Sequence, residues 1–213
     1  MRDDFSDITV VLDRSGSMEA VADDTIGGFN RFLLEQKKAP GHAVLTLVQF
    51  DHEYEFVHTA RPLDEVPPLS KATFVPRGHT ALLDAIGRAI GETHDRLVKT
   101  DESRRPATVI FVIVTDGQEN ASREFTLENV FKRIEEQQKK RGWKFIFLGA
   151  NQDAIKSAAR LGIGGGTSLT YAANAEGSRA AFASLSRSVS RSRSRQSADF
   201  KQSDRDAQAS SGA

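Results

Sequence analysis

Five residues that carry side-chain oxygen sit in a pattern able to hold a hard metal ion. Asp13, Ser15 and Ser17 are spaced two apart in Asp13-Arg14-Ser15-Gly16-Ser17. In an extended loop that spacing sends the three side chains to one side, and Gly16 lets the backbone turn tightly. A carboxylate and two hydroxyls then converge on one point. A second carboxylate comes from Asp116-Gly117, and a further hydroxyl from Thr80, in Gly78-His79-Thr80 at the start of a helical pattern. The donor set is all oxygen, which selects Mg2+, Ca2+ or Mn2+ over softer metals. Taken singly, each piece has a plainer reading. Ser17 or Thr80 serves as a helix N-cap, and Asp116-Gly117 as a turn. Their joint placement is what favours a metal.

The elements that must position these residues can be read from the apolar runs. Ile8 to Leu12, Val44 to Phe50, Val109 to Thr115 and Phe145 to Leu148 are continuous and rich in β-branched residues. Such runs fit strands buried on both faces, as in a parallel sheet. Helical spacing separates them: Val21, Ile26, Phe29, Phe32 and Leu33; Leu82, Leu83, Ile86, Ile90 and Leu97; Leu127, Val130, Phe131 and Ile134. The alternation predicts right-handed βαβ crossovers and a doubly wound α/β fold. Tyr54 to Thr59 follows Val44 to Phe50 after a short polar link, so it reads as the return strand of a hairpin. A mainly parallel sheet of about six strands with one antiparallel edge strand results, flanked by helices. A short helix over 153–161, a strand over 168–172 and a last helix from about Gly177 complete the set. In this arrangement Asp13 and Asp116 both fall at carboxyl ends of strands, where open α/β sheets bind ligands.

With order and context fixed, Asp13-x-Ser15-x-Ser17, Thr80 and Asp116-Gly117 resemble the metal-ion-dependent adhesion site (MIDAS) of von Willebrand factor A domains. The similarity runs from about residue 5 to 190, and the chain has Rossmann-like topology on that reading. Thr115-Asp116-Gly117-Gln118-Glu119-Asn120 and Leu148-Gly149-Ala150-Asn151 look like intracellular prokaryotic members. His79 stands where the family often has Gly. The resemblance implies that Ser15 and Ser17 ligate the metal directly and that Thr80 does so in the ligand-bound state. Asp13 and Asp116 would act through water or by hydrogen-bonding the ligands. One coordination position would be left for an acidic residue of a partner. Neutral inner ligands leave the ion under-neutralised, which fits the capture of a partner's Asp or Glu. Mg2+ is the expected ion, with Mn2+ or Ca2+ as alternatives. Arg14, His79, Gln118 and Glu119 are the expected partner-binding rim.

Composition narrows the function classes. The chain has 213 residues, with 29 Lys+Arg balanced by 29 Asp+Glu. That balance gives no electrostatic case for nucleic acid or an anionic membrane. Cysteine is absent, which removes disulfides and thiolate zinc sites and suits a reducing compartment. No apolar stretch approaches the roughly 18–20 residues of a membrane span, so a cytoplasmic setting is expected. His52 and His58 on the hairpin lack the helical pairing of a zinc site. The glycines over 162–166 lack the Lys of a P-loop. Beyond Arg187 the chain alternates Ser and Arg, then turns polar, so residues 191–213 read as a disordered tail.

The function expected is therefore a metal-dependent protein-binding module, adhesive or adaptor-like, and not an enzyme. A metal-dependent phosphatase or phosphotransferase is the main alternative. It would want a second carboxylate two residues after Asp13, where Ser15 stands, and a general base. A regulatory adaptor of an AAA+ ATPase or of a bacterial stress or defence complex is the other. The last helix, with Ala181, Phe182, Leu185 and Val189 as its apolar stripe, is expected first as core packing and secondly as an affinity switch.

Overall fold

The computed structural model describes residues 2–150 and 154–212. Six strands form one sheet: β1 (Arg2–Asp13), β2 (His42–Phe50), β3 (Tyr54–Pro62), β4 (Pro106–Thr115), β5 (Lys144–Ala150) and β6 (Ser168–Tyr171). Their order is β3-β2-β1-β4-β5-β6. Only β2 and β3 pair antiparallel; the β1–β2, β1–β4, β4–β5 and β5–β6 pairs are parallel. The expected mixed sheet with one antiparallel edge strand is what forms.

The continuous apolar runs are explained by two cores, one on each face. Ile8, Val10 and Leu12 of β1 join Phe29 and Phe32 of α1 (Ala22–Lys38) and Phe182 and Leu185 of α5 (Ala175–Arg193). Val11, with Phe111 and Ile113 of β4, faces the other way. It meets Ile86 and Ile90 of α2 (Leu82–Lys99) and Val130 and Ile134 of α3 (Leu127–Arg141). No β1 side chain from Ile8 to Leu12 is more than 1% exposed. Truncating Ile8 to Ala would therefore remove about 2–5 kcal/mol of stability. The α1–α5 contact is close because Gly28 has no side chain. A Cβ there would lie 2.2 Å from the Phe182 ring, so the stripe on the last helix is core packing.

Strand order reverses between β1 and β4. The chain leaves β1 toward β2 and leaves β4 toward β5, so the loops at those two carboxyl ends diverge and open a crevice. Asp13 is the last residue of β1, and Asp116 follows β4 directly.

The tail differs from expectation. Instead of disorder past residue 190, α5 runs to Arg193 and a sixth helix, α6 (Gln202–Ser210), follows α4 (Ala154–Arg160) and α5 in the chain. Few apolar residues anchor it: Ala198 and Phe200 are buried, at 4% and 5% exposure. Polar contacts supply the rest. Asp204, 1% exposed, accepts from Arg187 Nε and Nη2 at 2.9 and 2.6 Å, and the Phe200 amide donates to the Gly166 carbonyl at 2.8 Å. A composition-based reading misses this because only Ala198 and Phe200 reach the core and the other holding contacts named are hydrogen bonds and ion pairs. Asn151 and the expected helix start at Asp153 lie outside the described residues.

Candidate metal site

The loop after β1 stays extended for two residues. The Arg14 amide donates to the Phe50 carbonyl at 2.8 Å, and Ser15 has φ −60° and ψ 166°. A 3-10 turn then spans Gly16–Val21, anchored by fully buried Met18. Ser15 occupies the N-cap of that turn, yet its side chain makes no capping bond. Instead the Ser15 and Ser17 hydroxyls share a hydrogen bond at 3.1 Å, and Ser17 Oγ donates to Asp116 Oδ1 at 2.7 Å. A hydroxyl carries one proton, so Ser15 is the donor to Ser17. The capping alternative for these serines is thus not the arrangement found. Asp13 accepts the Ser15 amide on Oδ1 at 2.7 Å and the Thr115 hydroxyl on Oδ2 at 2.5 Å.

Thr80 arrives from a third loop. It lies two residues ahead of α2, whose N-cap is Ala81, so it precedes the helix and does not cap it. Its placement is seen at Gly117. A Cβ built on Gly117 would stand 2.8 Å from Thr80 Oγ1 and 3.5 Å from Ser17 Oγ. Both hydroxyls therefore approach one small volume that only a glycine leaves open. Loop one and the Thr80 loop are also tied by their backbones: the Gly16 amide donates to the Gly78 carbonyl, and the Arg77 amide to the Arg14 carbonyl. Asp13, Ser15 and Thr80 are buried, Asp116 is half-buried and Ser17 is exposed.

The electrostatics are unbalanced. Burial lifts the Asp13 carboxyl from 3.8 to about 6, against the lowering effect of the Thr115 and Ser15 hydrogen bonds, and the charge of Asp116 adds to the rise. Burial also raises Asp116, partly offset by the Ser17 hydroxyl. Neither has an ion-pair partner among the described residues. The donor set is two carboxylates and three hydroxyls, and among the described residues no three His, Cys, Asp or Glu side chains cluster for a metal. An ion here would be held by hydroxyls with carboxylates behind them, a set that suits hard cations.

The expected rim divides. His79 and Gln118 are exposed beside the site. Arg14 is not on the rim: it is buried, with Nε 3.0 Å from Asp51 and Nη1 2.6 Å from Glu55. The alternation that brings Asp13 and Ser15 to one side sends Arg14 to the other. Glu119 is also occupied. Its carboxylate accepts the Leu83 amide at the start of α2, the amides of Ala121 and Ser122, and the Ser122 hydroxyl. It fastens a loop to a helix N-terminus.

Three residues beyond those singled out by the sequence shape the site. Thr115 bonds Asp13, and its place at the end of an apolar run beside Asp116 was the available sign. Asn120 brackets Thr80, with side-chain Oδ1 accepting the Thr80 amide at 2.9 Å and its backbone N–H donating to the Thr80 carbonyl at 3.1 Å. Asp51 ties Arg14 to Arg77. Asn120 lies in the segment that resembles prokaryotic family members, but no sequence signal shows that it or Asp51 acts on a loop remote in the chain.

Comparison with known proteins matches residues 7–181 to the von Willebrand factor type A domain. No curated protein sequence matches. Proximal thread matrix protein 1 of the mussel byssus is 16% identical, with TM-score 0.57, over 87% of this chain and 46% of its own. Another structure of that protein has a zinc-occupied MIDAS motif, at 17% identity and TM-score 0.52 over 78% of this chain and 41% of its own. The vWF domain of the type V pili tip protein Mfa5 from Porphyromonas gingivalis is 11% identical, with TM-score 0.58, over 86% of this chain and 94% of its own. Manganese-loaded TRAP protein of Plasmodium vivax is 13% identical, with TM-score 0.50, over 82% and 71%. At such identities the likeness is one of fold. This chain spans less than half the length of the mussel protein. Among the described residues no helix is long and apolar enough to cross a membrane.

Proposed function

This chain belongs to the von Willebrand factor type A domain family, and on that footing we propose that it is a metal-dependent protein-binding module. Ser15, Ser17 and Thr80 hold a divalent ion in a MIDAS, and Asp13 and Asp116 stand behind them. The observation that carries this reading is Asp13, a buried carboxylate with no cationic partner among the described residues and a carboxyl lifted to about 6. A buried charge in that state calls for a cation.

Mg2+ is the ion proposed, because it keeps several waters and can exchange one for a carboxylate. The Ser15 and Ser17 hydroxyl oxygens are 3.1 Å apart. That spacing is set by their hydrogen bond, and it is within reach of both an octahedral Mg2+, whose adjacent ligands stand about 3.0 Å apart, and a pentagonal-bipyramidal Ca2+, whose equatorial ligands stand about 2.8 Å apart. Mn2+ is the nearest substitute, and the manganese-loaded and zinc-occupied relatives support a divalent ion in general. When bound, the ion supplies a Lewis-acidic centre for a carboxylate from outside. The chain's part is to keep its inner donors neutral. Ser15, Ser17 and Thr80 bring no negative charge, so an Asp or Glu of a protein partner is attracted and not repelled. His79 and Gln118 flank the site as its rim. The expected domain end at 190 falls inside α5, so the domain is proposed to take in α6 as well, and the cysteine-free composition suits the cytoplasm.

Binding is favoured over catalysis by the hydroxyl contacts. Those of Ser15 and Ser17 go to each other and to Asp116, not to a histidine that could activate them. Family members are in general protein-interaction modules.

The test is affinity capture with wild type and Asp116→Ala, each in Mg2+ and in EDTA. A partner held by wild type in Mg2+ alone, and lost in the variant, supports the reading. Capture that survives EDTA, or that the variant retains, overturns it.

A further inference from the structure

Thr80 differs from the serines in how it reaches the site. Ser15 and Ser17 share a short loop with Asp13, so chain connectivity places them. Thr80 sits at the end of a long connection from β3 and must be held by contacts. Its amide and its carbonyl both find the same residue, Asn120. Thr80 is 3% exposed, so these backbone groups need protein partners. Threonine is β-branched and has few side-chain rotamers. Fixing its backbone therefore largely fixes its hydroxyl.

Asn120 is itself anchored. Glu119 beside it accepts the Leu83 amide of α2 at 2.9 Å, and the Asp84 carboxylate of α2 accepts the amides of Arg123, Glu124 and Phe125 at 2.8–2.9 Å. The loop after β4 is thus sewn to the first turn of α2, with Asn120 at its end nearest the site. On the other flank of Thr80, the Ala81 amide donates to the Asp51 carbonyl at 2.8 Å. Asn120 has no bond to the proposed ion-binding oxygens; what it touches is the residue that presents one of them.

We propose that Asn120 is a positioning residue for this site: its side-chain Oδ1, accepting the Thr80 amide beside the main-chain bond that residue 120 gives the Thr80 carbonyl, sets the Thr80 hydroxyl over Gly117, beside Ser17, before any ion arrives. This rests on the reading of Thr80 as a metal ligand. It makes the site preorganised in its third loop, so that ion binding need not order that loop.

The experiment compares wild type, Asn120→Ala, Asn120→Asp and Thr80→Ala with Mn2+ as the probe, alongside amide hydrogen exchange of the metal-free proteins. Asn120→Asp keeps the Oδ1 acceptor, so it should bind Mn2+ at least as tightly as wild type and keep the Thr80 amide protected. Asn120→Ala should weaken Mn2+ about tenfold, the usual scale for a residue that orients a ligand. In its metal-free form the Thr80 amide should exchange at least about tenfold faster while amides of β4 stay unchanged. Water-proton relaxation should report one more exchanging water on Mn2+ in Asn120→Ala, as in Thr80→Ala. A purely structural role would lower stability without changing that hydration.

The proposal is overturned if Asn120→Ala matches wild type in Mn2+ affinity and hydration while Thr80→Ala does not. It is also overturned if Asn120→Ala weakens Mn2+ without loosening the Thr80 amide. Failure of the metal reading looks different: wild type and Thr80→Ala then bind Mn2+ alike, or neither binds it, and the proposal falls with it.

Discussion

Asp13 and Asp51 close neighbouring parallel strands, and both side chains are fully buried. Their surroundings are opposite. Asp51 takes Arg14 Nε at 3.0 Å, Arg77 Nε at 2.9 Å and the Glu53 amide at 2.7 Å. Burial pushes its carboxyl up, but the Arg77 and Glu53 hydrogen bonds and the two guanidinium charges outweigh that and hold it below its ordinary range. Asp13 has only neutral donors and a second carboxylate for a neighbour, and it is pushed up. The same residue type, one strand apart, is satisfied in one place and short of a cation in the other. Asp51 belongs to the frame. Asp13 belongs to a site whose balancing charge comes from outside the chain.

The sharpest way to break this contrast is to remove each carboxylate. Asp51→Ala should destabilise the fold by about 3–5 kcal/mol, the cost of stranding a buried charge. Arg14 Nη2 already lacks a hydrogen-bond partner among the described residues, so little is left to absorb the loss. Urea unfolding measures it, and a change under about 1 kcal/mol would remove Asp51 from the frame.

Asp13→Asn should act with the opposite sign. A carboxyl moved from 3.8 to about 6 costs the folded, metal-free protein at most about 3 kcal/mol at pH 7. The variant should then be more stable than wild type at that pH by about 1–3 kcal/mol. Thr115 can turn its hydroxyl to the Gly117 carbonyl, 3.2 Å away, and accept from the new amide. The pH dependence follows from the raised value. This group's contribution is fully present below 3.8 and is lost as pH rises through about 6. Metal-free wild type should thus gain stability, relative to Asp13→Asn, as pH falls from 7 to about 4. A variant less stable than wild type at pH 7 would put Asp13 in the same class as Asp51.

A smaller effect is expected at Gly117. Gly117→Ala places a methyl 2.8 Å from Thr80 Oγ1, so that side chain must move. Stability should change by less than about 1 kcal/mol while Mg2+ affinity falls about tenfold. Equal affinity would mean that Thr80 does not share the site with Ser17.

Most of the framework was legible in the residues. Buried strands such as Val109 to Thr115 announce themselves through apolar runs, and spacing two apart is enough to converge Asp13, Ser15 and Ser17. What sequence pattern does not carry is the direction of a charged side chain in a loop. Arg14 and Glu119 were expected to face a partner; Arg14 turns to carboxylates of the β2–β3 hairpin, and Glu119 to amides of its own loop and of the start of α2. Asn120 and Asp51 are invisible for the same reason, since their contacts span 40 and 37 positions in the chain. The α6 segment was missed because beyond Ala198 and Phe200 its holding interactions are polar. Arg187, Arg191 and Asp204 look solvated until the fold brings them together.

The central claim is that Asp13 lacks a cation which Mg2+ supplies. It is tested most directly by unfolding wild type and Asp13→Asn at neutral pH in Mg2+ and in EDTA. A ligand present at a hundred times its dissociation constant stabilises by about 2.7 kcal/mol. Wild type should show a gain of that order in Mg2+, and Asp13→Asn, already more stable in EDTA, should show none. Equal gains in both proteins, or no gain in wild type, would contradict the account.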